Sequence, residues 1–132
     1  MNTFEIDLLA LQPSQLYVCQ EKLDAVLRVI EAEGFPLKPI PIKQRACGLV
    51  MADGHSRALA AYRQGLRSVQ AVWETDDLDW EAYDACVAWC REAGIGSVAD
   101  LEGRVVPAEE FESLWLDRCR VLHVDIARRR GK

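Results

Sequence analysis

The sequence predicts an α/β (α+β) unit over its first half and an all-helical extension over its second. Three observations carry this. Short alternating or apolar runs recur between residues 4 and 73, with two stretches of helical spacing among them. Composition shifts at Thr75-Asp76-Asp77-Leu78-Asp79, an acidic connector and helix cap. Beyond that connector no segment alternates like a strand, while apolar residues keep returning at helical intervals.

The elements follow in order. Phe4, Ile6 and Leu8 alternate with Glu5 and Asp7, as in a half-buried strand. Gln12-Pro13-Ser14-Gln15 turns the chain. Leu23, Val26, Leu27 and Ile30 make a helical stripe, stopped by Gly34. Pro36 and Pro39 punctuate the entry to a second strand over 39–43, and a third follows over 49–52. A helix starts near His55 and stops at Gly65. Val69, Ala71 and Trp73 alternate as a fourth strand. The order β-α-β-β-α-β predicts a compact unit over 1–75, with a helical extension packed on it over 76–132.

In the extension, Tyr83, Cys86, Val87 and Cys90 define one stripe, broken by Gly94 and Gly96. Ser97 caps a short turn running to Leu101. Pro107 occupies a first-turn position before Glu109 and Glu110. Phe111, Leu114, Trp115 and Leu122 form the last stripe.

The chain has 132 residues and a net charge of −5, which suits one small domain and argues against a general nucleic-acid binder. The exception is the tail Arg128-Arg129-Arg130-Gly131-Lys132, expected to be a solvated end. No apolar run approaches the ~18 residues of a membrane span, and Met1 to Glu5 lack the pattern of a signal peptide. A cytoplasmic location is the expectation. Five cysteines, without a C-x-x-C pair, fit reduced thiols.

Asp53-Gly54-His55-Ser56-Arg57 carries the chemistry. An apolar strand delivers it to the mouth of a helix, where unpaired N–H groups and the helix dipole favour an anion. Adding His55 and Arg57 makes phosphate the natural ligand.

With Leu11-Gln12-Pro13-Ser14-Gln15-Leu16 and Lys38-Pro39-Ile40-Pro41-Ile42, this turn resembles the ParB/sulfiredoxin superfamily over about residues 4–74. The resemblance implies nucleotide binding, with Lys22, Gly54, His55, Ser56 and Arg57 around the phosphates. His55 stands where sulfiredoxins place their reactive cysteine, so sulfinic-acid repair is not expected. Lys22 matches a phosphate-binding lysine of that branch. The turn has one arginine where chromosome-partition members have two, and too few residues follow for their DNA-reading helices. The nearest branch by motif is the free serine kinases, whose turn reads Asp-Gly-x-His-Arg; Asp53, Gly54 and Arg57 match it. Where those kinases use a glutamate near the first helix, this chain has Gln15, and Glu21 is the nearest ionisable substitute.

The resulting expectation is a nucleotide-binding protein acting as an ATP-dependent small-molecule kinase. Asp53 and Glu21 would be its catalytic carboxylates and Mg2+ its metal. Two alternatives stand beside it: a non-enzymatic nucleotide-dependent switch, and a ParB-like DNA-associated accessory. Cys86 and Cys90, with Cys119 and His123, have the i, i+4 spacing of a Cys3His zinc site, although core packing accounts for the cysteines without metal. Trp89 lies off the main stripe, with Ala82, Ala85 and Ala93. That helix must therefore pack on two faces, inside the chain or in a homo-oligomer.

Overall fold

The computed structural model describes residues 2–35 and 37–131. Pro36, read above as punctuation, lies outside them, as do Met1 and the terminal Lys132.

The fold is mixed α/β. Strands β1 (Phe4–Asp7), β3 (Ile40–Arg45), β4 (Gly48–Met51) and β5 (Ser68–Trp73) form a sheet in the order β1-β5-β3-β4. Phe4 faces Ala71 in the antiparallel β1–β5 pair, and Ala71 faces Ile40 in the parallel β5–β3 pair. Ile42 faces Met51 across the β3–β4 hairpin. Alternation sets one face inward: Ile40, Ile42, Met51 and Ala71 are buried. Trp73, read as continuing that alternation, is instead 49% exposed and stacks on Phe4 at the sheet's end, 5.3 Å between rings.

Helix α1 (Gln20–Glu33) presents Leu23 to the core and ends at Gly34, whose N–H donates to the Ile30 carbonyl. Helix α2 (His55–Arg63) buries Ala58, Leu59, Ala60 and Ala61 completely. It can be buried all round because three of the four are alanines, which let α1 and the second half approach closely.

The second half begins with α3 (Trp80–Glu92), capped by Asp79, whose carboxylate accepts from the Ala82 N–H. A 3-10 turn over Val98–Arg104 follows, with Ser97 and Asp100 forming a reciprocal capping box. Pro107 then sits at the cap of α4 (Ala108–Phe111) rather than inside its first turn. A π turn over Glu112–Leu116 joins α4 to α5 (Asp117–Arg129).

The expectation of no strand in this half is corrected. Val105–Val106 forms β6, which pairs in parallel with β2 (Val18–Cys19) immediately before α1. Two residues are too few to show alternation, so the pairing left no trace in the sequence. The Arg104 guanidinium reinforces it by donating to the Leu16 carbonyl and lying 4.5 Å from the Tyr17 ring centre. One apolar core runs through both halves, including Leu23 and Leu59 from the first and Cys90, Leu101 and Trp115 from the second. Trp89 packs edge-on against Trp115 at 6.1 Å, under the Arg118 guanidinium at 4.0 Å. Among the described residues no helix is long and apolar enough to cross a membrane.

Candidate phosphate-binding site

Strand β4 ends at Met51, and Gly54 turns the chain into α2 with φ +82. That backbone conformation disfavours any side chain. Space demands glycine as well: a Cβ there would fall 2.8 Å from Arg57 Nη2 and 2.9 Å from Ile40 Cδ1. The arginine is folded directly over the glycine.

Arg57 is half-buried, and its Nη2 donates to the Pro39 carbonyl at 3.2 Å. Burial works against its charge, only partly offset by Asp53. Among the described residues no carboxylate forms an ion pair with it. Its Nε is buried without a partner, as is His55 Nδ1. Unsatisfied buried donors each cost about 1–3 kcal/mol, so two at one turn call for an explanation.

His55 faces inward rather than toward solvent. Its Nε2 accepts the Ser14 N–H at 2.9 Å, and the Ser14 hydroxyl donates to the Met51 carbonyl at 2.7 Å. An accepting Nε2 means a neutral ring protonated on Nδ1. Burial favours that state, pushing the His55 pKa down to about 4. The imidazole thus pins the Gln12–Gln15 loop to the mouth of α2.

A cleft of about 290 Å³ opens between α1 and α2. Asp53, Gly54, His55, Ser56 and Arg57 line it together with Lys22, so the structure brings these six predicted residues to one place. Glu21 does not line it; it is exposed on the first turn of α1, where it contacts the Cys19 thiol at 3.8 Å. Gln15 lines the cleft while its amide donates to the Tyr17 carbonyl. The Asp53 carboxylate is exposed and accepts the adjacent Gly54 N–H at 2.8 Å.

Asp53 and Arg57 also line a wider cleft of about 670 Å³ on their other side, with Lys38, Trp73, Glu74 and Asp76. Arg57 further bounds a small cavity of about 130 Å³ with an apolar wall of Leu37, Ile40, Ala61, Leu66 and Val69 and a polar rim that includes Glu5, Lys38 and Gln70.

Several participants escaped the sequence reading. Ser14 is 41 positions from the histidine it holds. Phe111 of α4 lines the α1–α2 cleft, although its helical spacing marks it only as core. The Tyr83 hydroxyl on α3 donates to the Ala52 carbonyl at 2.9 Å, bracing the turn from behind.

The four suggested zinc ligands do not assemble, and no group of three or more metal-binding side chains occurs among the described residues. Cys86 and Cys119 share a thiol hydrogen bond that raises the first pKa and lowers the second. Cys90 is fully buried in the core, its pKa raised to about 12 by desolvation, and His123 is exposed.

No protein-family model matches the chain, and no curated protein does. Solved structures share its fold. The protein Atu1540 from Agrobacterium tumefaciens superposes with a TM-score of 0.51 at 16% identity, over 76% of this chain and 62% of its own. A free serine kinase in complex with ADP gives 0.52 at 21% identity, over 60% of this chain and 34% of its own. A conserved hypothetical protein from Pyrococcus furiosus gives 0.51 at 20% identity, over 58% and 34%. Free serine kinase is also known in complex with AMP. The chain thus spans about a third of the kinase's length, and the likeness is one of fold.

Proposed function

We propose that the protein binds an adenine nucleotide, ATP first, in the cleft between α1 and α2. There it transfers the terminal phosphoryl group to a small hydroxyl-bearing acceptor in the wider cleft beyond Arg57. The observation that carries this reading is Arg57 itself: a half-buried cation without a carboxylate partner among the described residues, at a helix N-terminus, shared by both clefts. The fold shared with a kinase known to hold ADP and AMP supports the same ligand class.

In this reading the amides of His55 to Arg57 take the phosphate oxygens, the Gly54 N–H being held by Asp53, and Arg57 and Lys22 neutralise their charge. His55 holds the turn in shape, through Ser14. Asp53 orients the acceptor hydroxyl, whose oxygen attacks the terminal phosphorus; the hydroxyl proton passes to the carboxylate and the nucleoside diphosphate departs. The second carboxylate is assigned to Glu74, which lines the acceptor cleft, in place of Glu21. Mg2+, if bound, would be held by Glu74, with Asp53 as the alternative ligand to its role toward the acceptor hydroxyl, and would supply charge neutralisation at the transferred phosphoryl group.

The switch reading has one observation in its favour: Phe111 brings the helical half to the cleft wall, where it would sense occupancy. The DNA-accessory reading would use the arginine tail, where Arg129 pairs with Glu81 and Arg130 with Asp79 and Glu81, so a nucleic acid would have to compete with these exposed pairs.

Thermal unfolding with ATP, ADP, CTP, GTP and Mg2+ tests the proposal. A true ligand raises the midpoint of the wild type by mass action, and Arg57→Ala removes the shift. Turnover with an acceptor panel then separates kinase from switch. If no nucleotide or phosphate moves the wild type, the proposal fails.

A further inference from the structure

Lys22 is the second cation of the phosphate cleft, yet it stands on an exposed helix surface and is free to swing into water. Among the described residues it has no carboxylate partner. One group does hold it: its Nζ lies 5.8 Å from the centre of the Phe111 ring. That distance is within the range of a cation–π attraction, and the ring is itself fixed, only 5% exposed.

We propose that Phe111 is a positioning residue for the phosphate cleft, holding the Lys22 ammonium over its ring face so that the charge waits at the site. The inference rests on the nucleotide reading above. The β2–β6 pairing sets both partners. Val18 and Cys19 lead directly into the helix that carries Lys22, and Val105 and Val106 lead directly into the one that carries Phe111. A ring on the second half is thereby registered against an ammonium on the first. An aliphatic side chain of similar size would fill the same space but present no negative face to the cation.

Equilibrium binding of ADP tests this in four proteins: wild type, Phe111→Leu, Lys22→Met and the double variant, with Phe111→Tyr as the conservative control. Phe111→Leu should weaken ADP by about two- to fivefold, as the loss of an exposed or partly buried cation–π contact implies. It should have no effect in the Lys22→Met background, and Phe111→Tyr should retain wild-type affinity. A purely structural Phe111 would weaken binding equally with and without Lys22, and that result overturns the proposal. So does an unchanged affinity in Phe111→Leu. If the wild type binds no nucleotide at all, the nucleotide reading fails first and this inference falls with it.

Discussion

His55 is a titratable group held neutral, and that has a pH signature. Its folded pKa is about 4 because burial disfavours the imidazolium, against 6.5 for the free side chain. Above pH 6.5 both folded and unfolded chains carry it uncharged and stability is intact. Between pH 6.5 and 4 the unfolded chain takes up a proton that the folded chain refuses, so stability falls, by up to about 3 kcal/mol. Urea unfolding across this window should show a steeper loss for wild type than for His55→Gln; parallel profiles would show that the ring is not held neutral. At the neighbouring position, Gly54→Ala combines a left-handed backbone with a Cβ 2.8 Å from Arg57. We expect a loss of about 1–2 kcal/mol in stability and, on the proposed nucleotide reading, loss of the thermal shift with ADP, since the guanidinium must move.

At the scale of elements, α3 supports the candidate site without lining either of its clefts. Tyr83→Phe removes the hydrogen bond to the Ala52 carbonyl and should cost about 1 kcal/mol in chemical denaturation. Asp79→Ala removes both the α3 cap and one of the two acceptors of Arg130, with a similar expected loss of about 1 kcal/mol that shrinks in high salt. The cap was legible, because an aspartate before an apolar period has few other uses. So was the stripe of Leu23, because burying one face imposes a 3.6-residue rhythm; Leu59's helix, buried at successive positions, was legible from its start near His55 and its stop at Gly65. The two-residue strands were not: Val18–Cys19 and Val105–Val106 are stabilised by each other across 87 positions, and nothing local distinguishes them from loop. The convergence of Asp53 to Arg57 on one cleft was legible as a set, since glycine, imidazole and guanidinium seldom fall together at a helix start by chance. Its supports, Ser14 and Phe111, were hidden because a serine in a turn and a phenylalanine in a stripe already have ordinary explanations.

For the whole molecule, the continuous core predicts one cooperative unit. Leu101, Phe111 and Trp115 pack into the same cluster as Leu23 and Leu59. A chain ending at Thr75 would expose that cluster's inner face, and we expect it to lack a cooperative urea transition while the full chain shows a single one. Two separable transitions in the full chain would mean that the halves fold independently.

Arg57 bounds three cavities at once, and a shared wall cannot serve three occupants independently. A small apolar molecule seated in the cavity of Leu37, Ile40, Ala61, Leu66 and Val69 would press on the guanidinium from behind. It would change affinity in the phosphate cleft without competing for it. On the nucleotide reading proposed above, such a compound should therefore weaken ADP to a finite limit rather than displace it, with Arg57 as the lever that transmits its presence.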